Sequence, residues 1–282
     1  MKILLFNHHP DCLTYLYTAF SELGIEVEIA SERLTKQFFH YSSTLENGTF
    51  QFADVQIKFE DFNPIYKNVV IANDINHDII LSIRPQIMSY FGKNAWYDCQ
   101  MQGEFFRHNN DSIRTCNHPD SELMNFKFCP NWVPQKELVK EKRYITQLMT
   151  AADIEPQTNI LRNLKNKGYD VMIANWGEFI KDYDILPSTS MLVHNKKTGM
   201  NCYAVCKALD MGIPVYMERF TRKLIGFGNL PEELFLFIDD MSMEEAYKKS
   251  LEMDNKKIQE IYRSIYSLDN LKKAVVNILE RK

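Results

Sequence analysis

The stretch 190–217, SMLVHNKKTGMNCYAVCKALDMGIPVYM, reads as strand, polar loop, helix, tight glycine turn and strand. Ser190 to His194 is a short apolar run. Met200 to Met211 carries apolar residues at helical spacing, Gly212 stands at its stop and Pro214 lies just beyond. Ile213 to Met217 is then a buried strand. A polar loop with a lysine pair that feeds a helix N-terminus suits a phosphate, because backbone N–H groups and the helix dipole both point at the anion.

The same alternation runs through the rest of the chain. Lys2 to Phe6 is a strand, Asp11 to Leu23 a helix closed by Gly24, and Ile25 to Ala30 a second strand. This is the opening of a parallel, doubly wound sheet. Thr49 to Phe59 reads as a strand or hairpin, Asn63 to Ala72 as a helix, and Asp78 to Ser82 as a short buried strand with Arg84 just past its end. Pro85 to Phe91 starts a helix with proline in its first turn. Residues 93–125, rich in Asn, His, Asp and Gln, read as irregular. Phe126 to Cys129 is the last strand of the first half, and Pro130 to Arg143 is the best linker. The pattern then restarts. Tyr144 to Thr150 is a strand, Glu155 to Lys167 a helix with Gly168 at its C-cap, Asp170 to Ala174 a strand and Trp176 to Lys181 a short helix. After 190–217 come a strand at Glu233 to Ile238 and three helices near Ser242–Glu252, Lys256–Ser267 and Asn270–Arg281. The expectation is an α/β protein of two Rossmann-like doubly wound domains, 1–133 and 134–282.

The bulk numbers agree. A chain of 282 residues suits two domains of about 140 each. No apolar run of about 18 residues predicts a membrane span, and MKILLF is too short for a signal-peptide core. Six scattered cysteines without a framework pattern read as reduced thiols in a cytoplasmic setting. The net charge of −4 is uneven: residues 1–133 hold 10 Lys+Arg against 16 Asp+Glu, and the remainder 23 against 21. A mildly basic second half fits an anionic nucleotide. An acidic first half argues against a wide nucleic-acid footprint there, although a local basic groove stays open.

ALDMGIPVY resembles the helix–turn–strand of the donor domain in GT-B glycosyltransferases of the group-1-like kind. The resemblance implies two lobes facing across a cleft, a nucleotide diphosphate-sugar held by the preceding loop and helix N-terminus, and a last helix crossing back onto the first domain. Many retaining members carry a glutamate where this chain has Lys207 and a second near Gly199, so the retaining-type carboxylate pair is not carried over.

In the loop His194 to Tyr203, Lys196 and Lys197 would offset diphosphate charge and Thr198 would donate a hydroxyl. The N–H groups near Gly199, Asn201, Cys202 and Tyr203 would cap an oxyanion. The competing reading is an exposed, solvated turn. Lys207 either pairs with a donor phosphate or faces solvent. Glu218 and Arg219 end the strand after the glycine turn, which the resemblance places near the donor sugar. His8, His9 and Asp11 follow the first strand; His9 or Asp11 would serve as general base, while Asp11 alternatively caps the helix beginning at Cys12. His8 and Arg84 would contact the acceptor. Cys99, His108, Cys116 and His118 match no metal-ligand spacing, and no metal or cofactor is expected beyond the nucleotide-sugar co-substrate. The resulting expectation is a metal-independent hexosyl- or pentosyltransferase. It would move a sugar from a nucleotide-sugar such as a UDP-sugar to an acceptor hydroxyl, on a glycan or, less favoured by charge, a modified base in viral DNA. A nucleotide-sugar epimerase of the same fold and an inactive nucleotide- or glycan-binding protein are the alternatives. The sequence leaves the oligomeric state open.

Overall fold

A computed structural model describes residues 1–6, 10–39, 44–45, 49–52, 55–58, 69–99, 111–148, 154–174, 185–197 and 202–280. The chain divides into two compact units: Met1–Trp132 together with Leu268–Lys282, and Val133–Ser267.

The first unit is built on a seven-stranded, wholly parallel sheet in the order β10-β9-β8-β7-β1-β2-β6. Its strands are β1 (Lys2–Phe6), β2 (Glu26–Ala30), β6 (Val70–Ala72), β7 (Ile79–Ser82), β8 (Ala95–Cys99), β9 (Ile113–Cys116) and β10 (Lys127–Phe128). A separate antiparallel sheet joins β3 (Thr44–Leu45), β4 (Thr49–Phe52) and β5 (Val55–Lys58). Among the described residues, three helices follow strands of the large sheet: α1 (Pro10–Glu22), α2 (Glu32–Phe38) and α3 (Gln86–Phe91). Between α1 and β2, Gly24 takes a φ of +68°, which lets the helix stop and the chain re-enter the sheet within a few residues. Ser31 caps α2, its hydroxyl accepting from the Leu34 N–H at 3.2 Å.

Two readings of this half are corrected. Residues 70–72, assigned to a helix, are strand β6, paired with β2; Val69, Val70 and Ile71 are the β-branched run that favours this. Residues 93–125, read as irregular, contain β8 and β9. Every residue of β8 is buried, so it shows no polar–apolar alternation. It even carries Asp98, whose carboxylate accepts from Tyr15 Oη at 2.5 Å and Thr115 Oγ1 at 2.7 Å. Thr115 in turn accepts from Trp96 Nε1 at 2.8 Å.

The last helix, α9 (Leu268–Glu280, numbered after those of the second unit), packs within the first unit. Leu271, Val275 and Ile278 are its buried stripe, each contributing about 1.5–3 kcal/mol by burial. Lys272 pairs with Glu22 on α1 at 3.4 Å, and Lys127 Nζ donates to the Ile278 carbonyl at 3.3 Å.

The second unit is a five-stranded parallel sheet in the order β12-β11-β13-β14-β15. The strands are β11 (Tyr144–Gln147), β12 (Val171–Ile173), β13 (Thr189–Val193), β14 (Val215–Met217) and β15 (Phe235–Phe237). Its helices among the described residues are α4 (Glu155–Asn166), α5 (Tyr203–Asp210), α6 (Arg219–Leu224), α7 (Met243–Glu252) and α8 (Asn255–Ile265). Ile145, Leu161, Met191, Val193, Leu236 and Met243 belong to one core that spans sheet and helices. The helix expected at 176–181 lies outside the described residues.

Segment 133–143 has no regular structure, yet it is pinned to the second unit. The Lys136 N–H donates to Asp210 Oδ2 at 2.9 Å and the Val139 N–H to the Met211 carbonyl at 3.0 Å. Lys142 Nζ donates to the carbonyls of Ser250, Leu251 and Met253 at the end of α7, where a cation offsets the helix dipole.

Candidate functional site

In an open parallel sheet, ligands bind beyond the carboxyl ends of the strands where the strand order reverses. In the second unit this point lies between β11 and β13, and in the first between β1 and β7.

At the β13 end the His194 N–H continues the ladder by donating to the Tyr216 carbonyl at 3.0 Å. His194 Nδ1 lies 3.8 Å from Cys202 Sγ, which links the strand end to the N-cap residue of α5. Asn195 is buried and grips Glu218, the residue after β14, from both sides. Its Oδ1 accepts from the Glu218 N–H at 3.0 Å, and its Nδ2 donates to Glu218 Oε1 at 3.0 Å. Lys197 Nζ pairs with the other carboxylate oxygen, Oε2, at 2.9 Å. Burial pushes the Glu218 carboxyl up, but the hydrogen bonds from Lys197 and Asn195 more than offset it and hold it below its ordinary value. Glu218 is therefore an oriented carboxylate, three-quarters buried, at the carboxyl end of β14. On the other side of the reversal point, Gln147 ends β11 with its amide donating to Thr158 Oγ1 of α4 at 2.9 Å.

The remaining sequence-derived residues are placed as follows. Lys207, on α5, is only 2% exposed, which rules out the solvent-facing alternative. Tyr203 is buried, and Cys202 is half-buried. Lys196 precedes the Lys197 ion pair. Arg219 is held by acidic neighbours: its guanidinium meets both oxygens of Asp240 at 2.6 and 2.7 Å and Glu232 at 3.4 Å, and lies 4.2 Å over the Phe237 ring. Thr198, Gly199 and Asn201 lie outside the described residues. Asn195 was not singled out from the sequence. Its signal is positional, the first polar side chain past the apolar run of β13 that is also next to the lysine pair.

In the first unit, His8 and His9 lie outside the described residues. Helix α1 begins at Pro10, so Asp11 sits inside its first turn and does not precede a helix starting at Cys12. Arg84 follows β7, next to the end of β1, with its N–H donating to Ser82 Oγ at 3.0 Å. Farther along the same edge, Cys99 and Cys116 are partners in the strand register, and the Cys129 N–H donates to the Cys116 carbonyl at 2.9 Å. All three are buried, and burial pushes the Cys116 thiol up to about 12 and that of Cys129 well above its ordinary value. Among the described residues no group of three or more His, Cys, Asp and Glu side chains is disposed to hold a metal ion, and no helix is long and apolar enough to cross a membrane.

Comparison with solved structures identifies the architecture. The whole chain matches 97% of AviGT4, a glycosyltransferase involved in avilamycin A biosynthesis, with a TM-score of 0.56 at 11% identity. It likewise matches 99% of the apo form of the lipopolysaccharide outer core galactosyltransferase WaaB, with a TM-score of 0.55 at 10% identity. At such identities the likeness is one of fold, and the fold is that of the GT-B glycosyltransferases. No protein-family model and no curated protein sequence matches this chain.

Proposed function

We propose that this protein is a glycosyltransferase that moves a sugar from a nucleoside diphosphate-sugar to an acceptor hydroxyl. The observation that carries the reading is the linked set Asn195, Lys197 and Glu218 past the ends of β13 and β14, beside the reversal point of the second sheet. It offers, side by side, a cation for phosphate and a carboxylate for sugar hydroxyls. The GT-B fold supports it, because both matched proteins are described as glycosyltransferases.

In this reading Lys196 and Lys197 carry the phosphate charge, which makes the reaction independent of a metal, and Glu218 accepts from the donor sugar. Thr198 and the backbone around Gly199 to Tyr203 complete the phosphate cradle, and Lys207 stands one turn deeper in α5. The acceptor binds at the reversal point of the first sheet, beside His8 and Arg84. His9 or Asp11 takes the proton from its hydroxyl, an inverting displacement in which the acceptor oxygen attacks the anomeric carbon and the nucleoside diphosphate leaves. A neutral glycan suits the acidic half better than a nucleic acid does. The protein works in the cytoplasm, where nucleotide-sugars are supplied.

The test is calorimetry and thermal shift with UDP-, GDP- and ADP-sugars. One class is expected to raise the melting temperature, and Lys196→Ala with Lys197→Ala is expected to weaken that nucleotide about tenfold or more. Unchanged affinity in the double variant would remove the loop from the site. No shift with any nucleotide would favour a binding protein without turnover.

A further inference from the structure

The Glu218 carboxylate presents two oxygens held in different ways. Oε1 is bonded to the Asn195 amide, which is 2% exposed and also accepts from the Glu218 main-chain N–H. That double hold fixes both the backbone and the rotamer of Glu218. Only a primary amide supplies a donor and an acceptor at this spacing. Oε2 is bonded to Lys197, whose side chain is 44% exposed. Lysine is a compact charge on a flexible stem, and half-exposed pairs of this kind hold weakly. One oxygen is thus fixed and the other is exchangeable.

We propose that Asn195 is a positioning residue for Glu218 and that Lys197 changes partner when the donor arrives. The ammonium leaves the carboxylate for the donor's phosphates, and the released Oε2 accepts a hydrogen bond from a hydroxyl of the donor sugar. A diphosphate outcompetes a carboxylate for the ammonium because it brings more charge and more acceptor oxygens. The exchange makes recognition conjunctive. A free nucleoside diphosphate draws Lys197 away but leaves the Oε2 oxygen without its charged partner, and only the sugar-bearing form satisfies both. This rests on the reading above and deepens it by assigning discrimination between the nucleotide-sugar and its nucleotide product to Asn195 and Glu218.

The experiment is titration calorimetry of the full chain with UDP, UDP-glucose and UDP-galactose, and with the GDP and ADP counterparts, on wild type, Glu218→Gln, Asn195→Ala and Asn195→Asp. For the nucleotide that wild type binds, the sugar form is expected to bind more tightly than the diphosphate. Glu218→Gln should shrink that advantage about tenfold while the diphosphate itself binds equally well or up to about threefold more tightly, the Glu218 carboxylate no longer competing for Lys197. Asn195→Ala should shrink the advantage in the same direction. Asn195→Asp, which sets a second carboxylate against Glu218, should do so more strongly. Melting curves check that each variant is folded, and a variant that lowers both ligands equally has lost structure rather than selectivity. Binding to wild type with an unchanged ratio in Glu218→Gln would overturn the exchange and leave the donor site standing. An absence of binding to wild type would overturn both.

Discussion

At the C-terminal edge of the second sheet, β13 and β14 deliver Asn195, Lys197 and Glu218, Glu218 joined to both others and, with Lys197, reaching solvent. At the matching edge of the first sheet, β8, β9 and the residue after β10 deliver Cys99, Cys116 and Cys129, all buried, with burial pushing the thiols of Cys116 and Cys129 up. Both edges are the ones a doubly wound sheet offers to ligands. The difference teaches that the fold nominates an edge and the side chains decide whether it is used. In the first unit the far strands end in buried cysteines, whereas Arg84 follows β7 at the reversal point.

The contrast extends to the turns and the buried acids. Gly212 and Gly24 occupy the same kind of helix-to-strand turn, with φ of +76° and +68°. A Cβ on Gly212 would lie 2.2 Å from the Asn255 carbonyl oxygen, whereas at Gly24 nothing comes within 4 Å. The largest expected effect is therefore Gly212→Ala, with a loss of about 3 kcal/mol or more in urea unfolding, against about 1 kcal/mol for Gly24→Ala. Equal losses would mean that backbone strain alone governs both turns.

Asp210 and Asp98 are the buried acids among the described residues. Asp210 is held by Arg263 at 2.7 and 3.1 Å and by the Lys136 N–H; Asp98 is held by hydroxyls. Arg263→Ala strands a buried charge and should cost about 3 kcal/mol. Tyr15→Phe removes the hydroxyl's hydrogen bond to Asp98 and should cost about 1–2 kcal/mol, read from the same denaturation midpoints. A reversal of that order would mean that Asp210 is solvated once Arg263 is gone.

The smallest effect concerns pH. Glu218 is held below its ordinary value near 4.5, so its contribution is present above that pH and is lost as pH falls through the lowered value. Because the carboxylate is partly exposed, the difference between wild type and Glu218→Gln in this acid limb should be about 0.5 kcal/mol or less. The thiol edge should contribute nothing over the same range. An identical acid limb in both proteins would show that Lys197 and Asn195 do not tune this carboxylate.

Much of the second unit was legible. The strand, helix, glycine turn and strand of 190–217 appear as β13, α5, Gly212 and β14, because an apolar run, a helical period and a positive-φ glycine are local signals. β8 and β9 were not legible, since strands buried on both faces lose alternation and the polar residues around them suggest a loop. The burial of Lys207 was hidden too, because α5 is covered on nearly every side and a lysine on it looks like any surface charge.

By itself, then, the sequence determined the alternation of elements, the glycines that reverse the chain and the polar loop that ends β13. Each depends on neighbours along the chain. Tertiary structure alone decided that Asn195 meets Glu218 across 23 positions, that Lys207 and Asp210 are buried, and that three distant cysteines line one edge. Those facts depend on which strands lie side by side, a choice set by the packing of whole sheets and helices and not written in any local pattern.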